Sequence, residues 1–415
     1  MRPASLAFGL AAVLAFAAPA SASTFSTLYQ FCKKLPCNDG ANVLQTPLVR
    51  DADGNFFGTA QNGGAKAGGV FFELIGGTKY KKLLDLPAIA SPRGPLVMDV
   101  DGNFYGIEGT GNAGSGGIYK LTPGAKKKAK WKYQTLYTFC PDGGACADGG
   151  TPIELTYEGA ASGVPYDGTS PLYGATVSGG TGGAGTVFQL SPKTKQWSET
   201  VIYSLCSAAN CGDGMWPAYA LFFDAKGSLY GVTSAGGTNG QGAVYKLTPN
   251  RKKTAWSDTT LYSFCMEANC IDGNSPTGLV ADGQGNLYGG TSAGGDAGVG
   301  VLFKLAPHGK SYTFSRVYTF CQQSGCADGD EPMASPIVAA SGILYGTTAG
   351  DSRLFSFDPA KSLYKVLHTL CTDATCSDGF EPQAPLTLDP TGNLFGTDAF
   401  GGSQHSGGAI FEYEP

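Results

Sequence analysis

The chain is written in short apolar runs. From Thr259 to Leu305 it reads TTLYSFC, then CIDGNSPTGLVADGQGNLYGGTSAGG, then GVLFKL, so runs of Tyr, Phe, Leu, Val and Thr are parted by Gly, Asp and Pro. None reaches the ten or more residues that a helix wants, and such runs between turn formers predict strands. Four are expected per unit: a in PTGLVAD, b in NLYGGT, c in VLFKL and d in TTLYSF. The a–b connection reads DADGN, DVDGN, DGQGN or DPTGN, a tight glycine-containing turn.

The pattern recurs along the whole chain. The NLYG phrase begins at Asn55, Asn103, Leu172, Ser228, Asn286, Ile343 and Asn393, the VFKL phrase at Val70, Ile118, Val187, Val244, Leu302, Leu354 and Ile410, and the LYSF phrase at Leu28, Leu83, Leu136, Ile202, Leu261, Val317 and Leu367. Seven units of about 56 residues, each with four strands, predict an all-β fold, a seven-bladed β-propeller of four-stranded antiparallel blades. The first strand, TLYQF, is d-type and the last, IFEYE, is c-type. The N-terminal strand is therefore expected to pair in the last blade and close the ring, which removes an exposed sheet edge.

Residues 1–22 stand outside this pattern. Arg2, the apolar run from Leu6 to Phe16 and the small residues Ala20, Ser21 and Ala22 spell a secretory signal peptide. The run is shorter than the roughly 20 residues a bilayer span requires, and no later stretch approaches that length. Residues 23–415 are expected to form one exported domain, periplasmic or extracellular, with no transmembrane segment and no C-terminal anchor. The twelve cysteines agree. They fall into the close pairs Cys32/Cys37, Cys140/Cys146, Cys206/Cys211, Cys265/Cys270, Cys321/Cys326 and Cys371/Cys376. In an exported chain this spacing predicts six local disulfides. Zinc would need four ligands in reach, yet the pairs are far apart and the chain has only 3 His. No metal or cofactor is expected.

The composition of 63 Gly, 23 Phe and 20 Tyr fits a packed, turn-rich fold, and 33 acidic against 28 basic residues argue against nucleic acid as a partner. Charge is sorted by connection. The c–d turns hold Lys79, Lys81, Lys82, Lys126, Lys127, Lys128, Lys130, Lys132, Lys193, Lys195, Arg251, Lys252, Lys253, Lys310, Lys361 and Lys365. The d–a connections hold Asp142, Asp148, Asp213, Asp272, Asp328, Asp330, Glu331, Asp378 and Glu381. In a meander these connections lie on opposite faces, so one basic and one acidic face are expected.

The phrases LYGTT, AGG..G..VFKLTP and LYSF resemble the Gloeobacter–Verrucomicrobia tandem repeat, or GloVer repeat, of exported bacterial proteins. The resemblance spans the expected mature chain and implies export and a propeller-like fold, with no activity attached. Three units depart from the repeat: the second, LLDLPAIASPRGP, lacks the Cys pair; the third carries an a–b insertion, GAASGVPYDGTSP; the sixth, TTAGDSRLFSF, lacks the glycine-rich b–c loop.

Candidate chemistry is sparse. Gly290 to Gly294 spell G-x-S-x-G around Ser292, but a nucleophile elbow leads into a helix and this segment is a b–c loop. Asp51, Asp53 and Asn55, like Asp99, Asp101 and Asn103, open as a calcium loop does, yet the required Gly and Glu are absent, and a side-chain-capped turn accounts for them. Two positions beyond the NLYG glycine, four units have Thr (Thr176, Thr233, Thr291, Thr348), whereas the first has Ala60, the second Glu108 and the seventh Asp398. In a closed ring Glu108 and Asp398 would flank the Ala60 blade at the channel mouth, where two carboxylates can serve as acid and base on a glycan. Trp216 and Phe380 break the d–a loops and are candidates for stacking on sugar rings or a partner.

The expected function is a non-catalytic binding or interaction module, a monomer whose partner is an extracellular glycan or a cell-envelope protein. The alternatives are a carbohydrate-active lyase or hydrolase using Glu108 and Asp398, and a structural cell-surface protein.

Overall fold

The structure, a computed structural model, describes residues 23–111, 114–125, 130–193, 196–218, 221–403 and 405–415. The expected signal peptide lies outside the described residues, as do Lys126, Lys127, Lys128 and Lys195 of the basic set. The strands form seven separate antiparallel sheets with the order a-b-c-d, and in blades 4 and 5 a further short strand, Met215–Pro217 or Asn274–Pro276, also pairs with b. Blade 1 comprises Val49–Arg50, Phe56–Ala60, Val70–Ile75 and Lys79–Asp85, and blades 2 to 6 follow in chain order. Blade 7 takes Thr387–Leu388, Leu394–Asp398 and Ala409–Glu414 from the C-terminal end and Thr24–Gln30 from the N-terminal end. Thr24 pairs with Glu414 and Gln30 with Ala409, so the ring closes through its first strand, as expected.

Burial explains why the blades stack into a ring. Strand b is buried along most of its length, and throughout in Phe56–Ala60, so both faces of each sheet meet a neighbour. The core is accordingly divided into seven clusters, each shared by two adjacent blades. The glycine of NLYG lets the next strand's ring lie across b: a Cβ on Gly396 would sit 2.1 Å from Cζ of Phe411, and one on Gly106 2.4 Å from Cζ of Tyr119.

All six expected disulfides form within their pairs: Cys32–Cys37, Cys140–Cys146, Cys206–Cys211, Cys265–Cys270, Cys321–Cys326 and Cys371–Cys376. Beyond the disulfide, the second cysteine of a pair also acts through its backbone. Its carbonyl accepts two glycine N–H groups, one from the d–a loop and one from the glycine-rich b–c loop, and so ties the two loops together. Cys37 receives Gly40 and Gly64, both at 3.0 Å, and Cys146 receives Gly149 at 2.8 Å and Gly180 at 3.0 Å. Cys211 receives Gly214 and Gly237 at 2.9 Å, Cys270 receives Gly273 at 2.8 Å and Gly295 at 3.0 Å, and Cys376 receives Gly379 at 2.9 Å and Gly402 at 2.8 Å. Spacing cannot disclose this role, since a carbonyl is common to every residue. The left-handed backbone of the pair is equally hidden: Cys37, Cys146, Cys211 and Cys376 have φ of 55°, 45°, 52° and 47°, a region more often given to glycine. The shortened b–c loop of blade 6 supplies no second donor, and among the described residues Cys326 receives only Gly329, at 2.8 Å.

The Asp that follows five of the six pairs ties strand d to the d–a loop that leads into the next blade. Tyr262, on strand d of blade 4, donates to Asp272 at 2.7 Å, while the N–H groups of Met266 and Glu267 donate to the same carboxylate at 2.9 and 3.2 Å. Tyr29–Asp39, Tyr137–Asp148, Tyr203–Asp213 and Tyr318–Asp328 repeat the contact at 2.6 to 2.8 Å. The acidic face therefore differs from the expectation. Asp213, Asp272 and Asp328 are buried, and their charge is consumed inside the loops instead of facing solvent.

Candidate functional site

The a strands surround the axis, where a cavity of about 140 Å³ takes side chains from every blade: Gln45, Pro95, Glu154, Leu221, Leu279, Met333 and Gln383. Glu154 is the only ionisable residue among its described lining residues. Four residues ahead of the a–b turn, the repeats place Pro47, Pro95, Glu154, Gly278, Ser335 and Pro385 in equivalent register. The strand of blade 3, Gly150–Tyr157, carries a bulge between Pro152 and Glu154. A bulge re-aims the side chain that follows it, and Glu154 faces the axis. No side-chain donor among the described residues meets its carboxyl, and burial pushes its pKa up to about 8.

A larger cleft, about 790 Å³, opens between blades 4 and 5 on the face of the a–b and c–d turns. Its floor is aromatic and polar. Phe222 and Tyr230 stack with centroids 5.4 Å apart, and the Tyr230 hydroxyl donates to Asp224 at 3.2 Å and lies 3.5 Å from that of Tyr312. Lys246 Nζ sits 4.9 Å over the Tyr230 ring and 3.7 Å from Asp224. Lys226 and Lys310, both exposed, stand at the edge. The acids are engaged locally: Asp224 accepts the N–H of Lys226 and Ser228, and Asp282 that of Gln284 and Asn286.

The roof of this cleft comes from the blade 3 insertion, whose short turn Ala160–Ser162 supplies Ala161 and Ser162. The insertion is held at both ends. The Tyr166 carbonyl accepts the N–H of Val100 of blade 2 at 2.9 Å, and Glu158 forms an ion pair with Lys253 of blade 4. On its other side Ala160 and Pro165 line a second hollow against blades 1 to 3. The insertion thus crosses this face and breaks the ring's symmetry, and Phe222 borders both the cleft and the axial cavity.

The residues singled out from the sequence are placed elsewhere. Glu108 and Asp398 do occupy the blades on either side of blade 1, but both are wholly buried at the ends of their b strands and line no mouth. Glu108 accepts Tyr133 at 2.6 Å and Thr135 at 2.5 Å, while burial raises its pKa. Neither oxygen of Asp398 has a partner among the described residues, and burial, with Asp378 alongside, holds its pKa well above the usual carboxylate range. The reason is packing: the position two beyond the NLYG glycine faces the glycine of the d–a loop, as Asp398 faces Gly379. Trp216 is 49% exposed on the opposite, disulfide-bearing face. Phe380 packs at a tilt against Phe400, with centroids 5.6 Å apart, and borders a notch beside the shortened loop of blade 6. Ser292 donates to the Ser275 carbonyl at 3.2 Å, a structural bond. Asp51 and Asp99 cap their own turns through Asn55 and Asn103, as expected.

Two further carboxyls, both partly buried, carry no signal in the sequence. Tyr80, Phe314, Tyr364 and Phe25 each stack on the d strand of the preceding blade, against Tyr29, Tyr262, Tyr318 and His368. In blades 3 and 4 the equivalent positions hold Glu199 and Asp258, which burial and the adjacent clip carboxylates raise to about 8 and about 7. Pairing to the c-strand residues Leu190 and Leu247 establishes the equivalence.

No curated protein matches the chain. Among solved structures it resembles virginiamycin B lyase from Staphylococcus aureus, with a TM-score of 0.55 at 13% identity over 95% of this chain and 100% of that one. It also resembles the extracellular domain of a candidate hybrid two-component system from B. thetaiotaomicron, with a TM-score of 0.55 at 13% identity over 95% of this chain and 42% of that one. At such identities the likeness is one of fold. A family profile, that of the Gloeobacter/Verrucomicrobia repeat, matches residues 158–353 and 254–415. With three-fifths of its length matched and the repeat visible in all seven blades, the chain belongs to the Gloeobacter/Verrucomicrobia repeat family.

Proposed function

We propose that the protein is an exported binding module that takes an acidic glycan in the cleft between blades 4 and 5. One observation carries the reading: a cleft of about 790 Å³ lies where the insertion breaks the sevenfold pattern, and it pairs stacked aromatic rings and tyrosine hydroxyls with Lys226, Lys246 and Lys310. Aromatic faces suit sugar rings, and ammonium groups suit uronate or sulfate oxygens. Export is supported by residues 1–22 and by six disulfides, which persist in oxidising compartments. A lyase or hydrolase built on Glu108 and Asp398 is not favoured, because neither carboxyl reaches solvent.

Affinity electrophoresis of the mature chain through gels containing polygalacturonate or a neutral glucan tests the reading. Retardation by the acidic polymer alone, lost in the Lys226→Gln/Lys310→Gln variant, is the expected result. No retardation, or retardation that the variant keeps, counts against it.

A further inference from the structure

Beyond the cleft, and independently of it, we propose that the axial cavity is a site for a small alkylammonium ion, with the Glu154 carboxylate as its counter-ion. The argument begins with what surrounds this group. Pro47, Pro95 and Pro385 line the same cavity from equivalent positions, and Leu221, Leu279 and Met333 complete a largely hydrocarbon wall. Of the nearby amides, Gln383 donates to Glu381 at 3.3 Å, away from Glu154. Glu154 is only partly exposed, and this wall disfavours its charged form, so without a cation the carboxyl favours its protonated state near neutral pH.

The chemistry of the wall selects the cation. Calcium and magnesium require six or more oxygen ligands and favour several carboxylates, and this mainly hydrocarbon wall offers one carboxylate, with Gln45, Ser335 and Gln383 as its other polar side chains. An alkylammonium ion supplies both halves of the match: its N–H groups bond the carboxylate, and its methylenes meet the Pro, Leu and Met surfaces. The Phe222 ring, also in the wall, adds an aromatic face. At the ~30 Å³ that each water occupies in the liquid, the cavity of about 140 Å³ holds about five non-hydrogen atoms, the size of n-butylammonium.

Binding must be linked to the release of a proton. Below the raised pKa the incoming cation displaces the carboxyl proton, so apparent affinity rises about tenfold per pH unit there and levels off above it. The loss of one proton to buffer and the gain of one ammonium balance the charge.

Isothermal titration of the mature chain with n-butylammonium and with its neutral isostere 1-butanol tests the proposal. The expected result is at least tenfold preference for the ammonium above about pH 8, reduced to about twofold or less in Glu154→Gln. In the unmodified protein at about pH 7, titration in buffers of different ionisation enthalpy should show close to one proton released per cation bound. Equal affinity for the two probes, no detectable uptake of the ammonium, a preference retained in Glu154→Gln, or binding without proton release would each overturn it. Because the proton count needs no variant, the test holds even where Glu154→Gln fails to fold.

Discussion

Blades 5 and 7 share one backbone and treat their buried acids differently. At the entry to blade 5, Asp272 accepts three donors, and Thr291 at the end of strand b bonds the Ala293 carbonyl and the Val301 N–H. At the entry to blade 7, His368 replaces the clip tyrosine and lies 3.6 Å from Asp378, and Asp398 replaces the threonine with no partner among the described residues. The a-b-c-d strand order, the disulfide within the cysteine pair and the close approach of a d–a loop glycine to strand b recur in both. The ring is therefore strong enough, through its shared hydrophobic layers and closed edge, to carry an unsatisfied acid. A departure from the repeat is not by itself a site: packed against a d–a loop glycine, as at Asp398, it is a local cost, whereas one that faces a cavity, as at Glu154, or adds surface, as in the blade 3 insertion, changes what the ring can hold.

The largest effect should come from breaking the satisfied clip. Asp272→Ala leaves the Tyr262 hydroxyl and two N–H groups without their acceptor and should destabilise by about 3 kcal/mol in chemical denaturation, because each orphaned donor costs about 1 kcal/mol or more. Asp378→Ala should cost less, since it loses the N–H of Cys371 but relieves the repulsion on Asp398.

Restoring the rule in blade 7 should do the reverse. Asp398→Thr is expected to stabilise by about 2 kcal/mol at neutral pH. The folded carboxyl has a raised pKa and the unfolded one titrates near about 4, so its cost is absent below that value and grows as pH rises towards the folded pKa. The gain from Asp398→Thr should therefore vanish in acid. A gain that persists there would mean that volume, not charge, sets the effect.

A smaller gain is expected at the blade 3–4 junction. Asp258→Phe rebuilds the ring stack seen between Tyr262 and Phe314 and removes a carboxyl raised to about 7. After allowance for the carboxyl's partial exposure, about 1 kcal/mol should appear in the same denaturation assay at neutral pH. The smallest change is His368→Tyr, which recreates the clip. Burial, against the pull of Asp378, lowers the His368 pKa, so stability now falls as pH drops through about 6.5, where the unfolded imidazole takes up its proton. The tyrosine variant should remove that slope and add less than about 1 kcal/mol.

Most of the architecture was legible in the chain because turns, strand phrases and cysteine pairs repeat with their spacing intact. The candidate site was much less so. In a b strand buried on both faces, alternation carries no information about which way Glu108 or Asp398 points, so an ionisable residue there looks like a surface feature. Glu154 did leave a signal, a lone acid at a position where other repeats have Pro, Ala, Gly or Ser, but only alignment on the a–b turn exposes it. The insertion was visible as an extra segment. Its path across the face depends on Tyr166 meeting Val100 and on Glu158 meeting Lys253, contacts between units that no single repeat encodes.

Hydrogen-exchange footprinting of the mature chain with and without an oligogalacturonate tests most directly whether binding belongs to the broken part of the ring. Slowed exchange confined to residues 160–162, 222–230, 246–248 and 308–312 is the predicted result. Protection on the disulfide-bearing face around Trp216, or none anywhere, would contradict it.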